Sequence, residues 1–298
     1  DWTDKLKQDG TKIYFQVGGQ SLNAWQTTVA YCDSLTEIGY SLEKNYVDNF
    51  VVSNEHSREN IFTIPMDKTL YATVFKNLFR TLHYVHGSAL GRGAENGSSA
   101  TLSTLSTFGY GTPHQDPRFE FNFFADTVKV DDKVVMINKT TPLVYHPLSI
   151  KMQLTGAKYE KTAGARMKKY EIDRTAFDDG KLQNNDIVLY RYADALLMRS
   201  EALIRQGLNG DKSLNTVRNR VGLPGLSNAT LYDVFKERRL ELVWEGTHRQ
   251  DLIRYGRFHH AYEERPQLEN ESNGYTTVFP IPARMLQMNH LLKQNPGY

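Results

Sequence analysis

The residues best suited to holding a ligand lie between positions 71 and 96. Tyr71, His83, Tyr84 and His86 supply flat rings, and Arg92, Glu95 and Asn96 follow with charged and amide groups. Sugar rings present apolar C–H faces and polar edges, so ring planes interleaved with donors and acceptors suit a saccharide. With 17 Tyr and aromatics at 11%, such a surface is affordable. Tyr71, His83, Tyr84, His86, Arg92 and Asn96 are therefore expected as ligand-binding residues. Each also has a structural reading, because Tyr and His at helical positions are commonly core or rim residues whose polar tip is satisfied.

A second constellation lies between 231 and 251. Leu231, Val234, Phe235 and Leu242 form an apolar stripe, yet Arg238, Glu241 and Glu245 fall on the same helical face. Their spacing predicts an ion-paired seam within one helix, which would fix packing. Glu245 and His248, with Glu241 and Asp251 nearby, also have the spacing of carboxylate-bridged metal centres, which take a Glu-x-x-His from each of two helices. One such pair is present, and Gly246 interrupts the helix between its members, so no metal and no cofactor is expected. Glycoside hydrolysis needs two carboxylates about 5 to 9 Å apart, and 34 acidic residues single out no pair. Neither a Gly-x-Ser-x-Gly elbow nor a Walker loop occurs, and the chain is not expected to be an enzyme.

Composition narrows the partners. The 298 residues are 40% hydrophobic and 23% charged, enough to bury a core. Thirty-six Lys and Arg against 34 Asp and Glu leave a net charge of +2, far from the field that nucleic acid or anionic membranes select. The lone Cys32 cannot form an internal disulfide and reads as a small buried hydrophobe. No apolar run approaches the length of a membrane span, and the first residues show neither Met nor the pattern of a signal peptide.

The elements that must position these residues follow from periodicity and punctuation. A strand over Ile13 to Val17 is closed by Gly18-Gly19, and Asn23 with Gln26 reads as a capping box. The helix it opens carries Trp25, Val29, Cys32 and Leu35 on one face and ends at Gly39. A second stretch through Tyr46, Val47 and Phe50 would complete a helix pair, followed by a strand at Asn60 to Ile64. A helix is predicted over Tyr71 to Val85, irregular chain over His86 to Pro117, and a hairpin tip at Asp131-Asp132. Further helices are predicted over Ile187 to Gln206, Ser213 to Val221 and Leu231 to Glu245, each stopped by a glycine. The expected class is mainly α, with tetratricopeptide-like helical pairs, a loop-rich region and small β-hairpins.

Ordered motifs then give the chain a family likeness. The run from Asn185 to Ala202 with its Arg191-Tyr192-Ala193-Asp194 core, Leu214 to Pro224, Glu237 to Gly246 and Asp251 to Gly256 resemble successive signatures of the SusD/RagB family. The closing Val278-Phe279-Pro280-Ile281-Pro282 and Gln294 to Tyr298 are similar to the family's ending. Upstream, Ser57 to Phe62, Asn96 to Ser98, Asp116 to Arg118 and Lys168 to Tyr170 sit where the family has similar signatures, so the likeness runs from about residue 21 to the end. It implies a superhelix of tetratricopeptide-like pairs, with residues 1–60 ending an N-terminal region and 61–298 forming the C-terminal domain. It further implies a non-catalytic lipoprotein at the cell surface of the outer membrane, which binds glycans and delivers them to a SusC-type TonB-dependent transporter. The lipidated cysteine and first helical pairs would precede residue 1, so membrane contact would come only through an anchor absent from this chain. Some members of the family handle peptides or other nutrients, and that alternative stands beside the glycan, with a hydrolase or a peptide-binding adaptor as rivals from other classes.

Overall fold

The computed structural model describes residues 9–70, 80–176, 182–260, 271 and 274–298. Strand β1 (Tyr14–Val17) turns through Gly18 and Gly19, both at positive φ, into β2 (Gln20–Asn23), a two-residue hairpin that suits the strands' right-handed twist. Asn23 then caps α1 (Ala24–Glu37). Its side chain accepts the Gln26 N–H at 2.9 Å while the Gln26 side chain accepts the Asn23 N–H at 3.0 Å, completing the expected capping box. Cys32 is buried in this helix, and burial pushes its thiol up to about 11.

The second helix of the expected pair is not formed. Residues 40–50 yield only a 3-10 turn at Tyr46–Asn49, because Asn49 bonds the Tyr46 carbonyl and the Glu59 carboxylate, and Glu59 also accepts the Glu43 N–H. Strand β3 (Asn60–Ile64) follows. Most of the helix predicted over 71–85 lies outside the described residues. Its final turn is replaced by a break before His83, whose ring accepts the Val85 N–H and starts α2 (Tyr84–Ala89).

The stretch read as irregular contains α3 (Leu102–Thr107), capped by Thr101, and α4 (Phe119–Asn122) comes next. Short strands succeed it: β4 (Phe123–Phe124), β5 (Asp126–Thr127), β6 (Lys129–Val130), β7 (Lys133–Val134), β8 (Val144–Tyr145) and β9 (Arg166–Met167). They pair antiparallel as β4 with β9, β5 with β8 and β6 with β7, and Asp131 and Asp132 both take positive φ at the expected hairpin tip.

Strand β10 (Ile187–Arg191) occupies what was read as the first turn of a helix. It pairs antiparallel with β3, a partner more than a hundred positions away, and α5 (Tyr192–Arg205) begins only after it. Then come α6 (Asp211–Arg220), α7 (Leu231–Glu241), α8 (His248–Arg254) and α9 (Ala283–Met288). Helix α7 is shorter than predicted, since the chain leaves it at Leu242 and both Trp244 and Gly246 are left-handed. Helices α1, α5, α6 and α7 share a core of Cys32, Leu196, Leu197, Leu214, Val217 and Val234, and a second core joins Leu105, Phe108, Phe119, Phe123 and Leu240. The chain is mainly helical with short strands.

Between these cores runs a buried ionic network. Arg118 meets Asp116, Glu237 and Glu241 at 2.7–2.9 Å, and Arg191 meets Glu59, Glu241 and Glu245 at 2.6–2.8 Å. Arg220 pairs with Glu59 and Glu241, Arg218 with Glu237, and Lys169 with Glu245. Arg118, Lys169, Arg191, Arg218 and Arg220 thus balance Glu59, Asp116, Glu237, Glu241 and Glu245, five charges against five. Tyr46 and Phe50, freed from a helix, wall the network: Lys169 lies 4.8 Å from the Phe50 ring centre and Arg220 lies 5.3 Å from that of Tyr46. The seam expected within α7 is corrected by this arrangement. Arg238 reaches outward to Asp194 at 2.5 Å and Asp251 at 2.8 Å, while Glu241 and Glu245 pair with other elements.

Removing one member strands its partners in a low-dielectric interior. Arg191→Met should cost about 3–5 kcal/mol in urea unfolding, whereas Arg174→Met, which breaks an exposed pair with Asp131, should leave the midpoint near that of the parent. Equal losses would contradict the network's role. Burial would raise Glu241 and Glu245, but Arg220, Arg191 and Arg118 around the first, and Arg191 and Lys169 around the second, hold both below the usual 4.5. Their stabilisation is therefore full above about pH 4.5 and is lost as pH falls through their folded values. Unfolding midpoints taken between neutral and strongly acidic pH should fall steeply, and Glu241→Gln should start lower at neutral pH and show a shallower acid limb.

Candidate functional site

The structure separates the six residues expected to bind ligand. His86 is 1% exposed, its Nδ1 lies 3.1 Å from the Tyr145 hydroxyl, and its ring meets Phe124 edge-on at 4.7 Å. Burial, with His83 nearby, pushes its imidazole down to about 4, so it stays neutral. His83 is also buried, and its backbone N–H donates to the same Tyr145 hydroxyl at 2.9 Å. Arg92 is 7% exposed, lowered by burial and held up by the charge of Asp173. These three side chains are buried.

Tyr84 is 52% exposed, with its ring 5.5 Å from His83. Asn96, half-buried and left-handed at φ 56, donates its amide to the Lys161 carbonyl at 2.9 Å. Glu95 faces Arg80 at 3.5 Å. Tyr71 lies outside the described residues. Among its described residues the region thus keeps Tyr84 as an open ring, with the Asn96 turn on the same stretch of chain.

A cleft that the sequence reading missed lies where α3 packs on α7. It encloses about 200 Å³ and is lined by Thr101, Thr104 and Thr107 from α3 and its cap, by Leu242, Val243 and Trp244 after α7, and by Arg239 and His248. Trp244 is set by its left-handed backbone, by its indole N–H donating to the Asn122 carbonyl at 3.2 Å, and by contact with Phe123. Buried Ala100 and Phe108 complete an apolar lining beside the threonine hydroxyls. A signal for α3 was present: Leu102, Leu105 and Phe108 recur every third residue behind the Thr101 cap.

The cleft can hold a small ring with an apolar face and polar edges. Its lining carboxylate, Asp251, accepts from Arg238 and Arg254, both at 2.8 Å, and is committed to those pairs. The Glu245 and His248 spacing does not converge on a common point: Glu245 sits against Lys169 and Arg191 while His248 lines the cleft. Among the described residues no three His, Cys, Asp or Glu gather to hold a metal ion.

Over 135 residues the chain is 29% identical to the starch-binding protein SusD of Bacteroides thetaiotaomicron, spanning 43% of this chain and 24% of that protein. A SusD-like protein of Formosa agariphila is 30% identical over 135 residues, 39% of this chain and 25% of its own. Among solved structures, surface glycan-binding protein A from Bacteroides uniformis superposes with a TM-score of 0.66 at 22% identity, covering 91% of this chain and 56% of that one. Surface glycan-binding protein A from Bacteroides thetaiotaomicron in complex with laminarihexaose gives 0.65 at 21%, covering 91% and 59%. The chain therefore spans about a quarter of the two relatives and under three fifths of the two solved proteins. The model of the SusD family matches residues 19–298, and the chain belongs to that family.

Proposed function

We propose that this chain captures glycans at the cell surface without cleaving them and passes them to a SusC-type TonB-dependent transporter, held to the outer membrane by a lipid anchor outside these residues. The observation that carries the reading is the α3–α7 cleft, where an indole, buried apolar side chains and a row of threonine hydroxyls present the two kinds of surface a sugar ring needs. Family membership supports it, as do relatives named for binding starch and for a complex with laminarihexaose. Tyr84, an open ring, and Asn96, a polar turn, are read as further ligand contacts apart from the cleft. We read α5, α6 and α7 as tetratricopeptide-like packing, residues 1–60 as the end of a preceding helical region, and 61–298 as the C-terminal domain. Peptide or another nutrient is the alternative cargo of the same architecture.

A platform of this size supplies roughly −4 to −6 kcal/mol, a dissociation constant from about 1 mM to tens of micromolar. In calorimetry against a panel of oligosaccharides at least one should bind in that range, and Thr107→Phe, which fills the cleft, should weaken it about tenfold or more with an unchanged thermal midpoint. Tyr84→Ala should weaken binding by about two- to tenfold if stacking contributes about 0.5–1.5 kcal/mol. Heat from no sugar would sink the reading, and heat from peptides alone would favour the other cargo. Polysaccharides incubated overnight should yield no new products by chromatography; released sugars would instead establish a hydrolase.

A further inference from the structure

The polar side chains lining the α3–α7 cleft divide into those already engaged and those left over. Thr107 donates to the Ser103 carbonyl at 2.8 Å, and the Thr101 and Thr104 hydroxyls lie 3.0 Å apart while Thr101 also accepts the Thr104 N–H. The Thr107 proton is thus committed and the other two hydroxyls share a bond, so this row offers a ligand mainly lone pairs. Arg238 and Asp251 hold each other, and beyond that Asp194 and Arg254. Among the described residues none hydrogen-bonds the His248 ring or the hydroxyls of Ser99 and Thr247, all of which line the same cleft.

His248 has the most capable group of the three and a firmly held backbone. The chain passes from Trp244 to His248 through one turn, in which Glu245 is pinned by Lys169 and Arg191 and Gly246 is left-handed. Three residues beyond His248, Asp251 ties α8 to α7 through Arg238. The indole and the imidazole therefore border one cleft from the two ends of a turn fixed at its middle. The His248 ring lies 6.2 Å from that of Phe235, inclined at 31°, and stands between the cleft and a neighbouring hollow of about 340 Å³, with one side open to solvent. The protein packed around it and the Arg239 charge hold the imidazole below its ordinary 6.5, against the opposing pull of Asp251. At neutral pH the ring carries one N–H and one bare nitrogen, a donor and an acceptor on one rigid plane.

We infer that His248 sets the specificity of the cleft: its ring gives one hydrogen bond to, and takes one from, adjacent free hydroxyls of the sugar lying on Trp244, with the Thr247 hydroxyl as a third contact. The inference rests on the glycan reading and narrows its substrate to a sugar ring unsubstituted on the edge facing α8. An ether or ester there keeps its oxygen but has no proton to give, and both the bare imidazole nitrogen and the lone pairs of the threonine row are then left unpaired. Because solvent reaches His248, the discrimination is moderate, not absolute.

The test is calorimetry with a panel that includes laminarihexaose, maltohexaose and cellohexaose, followed by trisaccharides of the best-bound linkage that lack single hydroxyls or carry a single O-methyl group. His248→Phe, which keeps a flat ring and removes both hydrogen bonds, should weaken the best-bound hexaose about tenfold, whereas His248→Gln, which keeps a donor and an acceptor, should stay within about threefold of the parent. At least one deoxy or O-methyl trisaccharide should bind the parent about tenfold more weakly than its complete counterpart, and His248→Phe should bind the two alike. Should His248→Phe lower the thermal midpoint, Thr247→Val carries the comparison, because that hydroxyl caps no backbone group of α8; it should weaken the hexaose about threefold and leave the midpoint in place. A hexaose held as tightly by His248→Phe as by the parent, yet lost in Thr107→Phe, overturns the inference and leaves the glycan reading standing. Equal losses in His248→Phe and His248→Gln also overturn it, as does an altered trisaccharide that loses as much against His248→Phe as against the parent, because its missing proton would then face another group. No saccharide bound at all overturns both readings.

Discussion

Burying a guanidinium or a carboxylate costs several kcal/mol unless a partner and further hydrogen bonds compensate it, and this fold buries both kinds side by side. Arg118, Arg191 and Glu241 have fully buried side chains, and each touches at least two oppositely charged groups. Segments around residues 59, 116, 169, 191, 220 and 241 must therefore arrive together, since omitting any one leaves an unbalanced charge in a dry interior. Such a network adds little net stability over an apolar core, but it penalises every other arrangement of those segments.

The same constraint shapes the surface. The network draws Glu237 and Glu241 to one side of α7, and Lys236 and Arg239 lie on another, where they line a hollow with Ser103 and Ser106. Because Glu245 must return to Lys169 and Arg191, the chain leaves α7 through left-handed Trp244 and Gly246, which sets the indole beside α3. Gly246 takes φ +80 with open space around it, so backbone conformation and not crowding calls for glycine there. The cleft is thus a consequence of how a buried salt bridge ends a helix.

Features set by near neighbours were legible in the sequence. The Asn23 and Gln26 capping box, the Gly18-Gly19 and Asp131-Asp132 turns, and the glycines ending α1, α5 and α6 all involve groups within a few residues. Features that depend on distant partners were not. Ile187 to Arg191 has apolar character compatible with helix or strand, and only β3 decides for strand. Tyr46 and Phe50 have helical spacing, yet they serve as the wall of the ion network. The expected binding histidines had the right chemistry for a sugar platform, but Tyr145 and Phe124, far along the chain, draw His86 into the core.

The sequence alone determined the family, because the motifs around Glu59, Asp116, Lys169, Arg191, Arg220, Glu237 and Glu245 are the members of the network and their types and order survive in one dimension. It also determined which residues could bear charge and which could stack. Only the tertiary structure decided which carboxylate meets which cation, since Arg191 lies 132 positions from Glu59 and Arg220 lies 161 from it. It alone decided that the apolar and hydroxyl surfaces meet between α3 and α7. Charge pairing and burial depend on distance in space, and a chain's order fixes that distance only for neighbours within a turn or two.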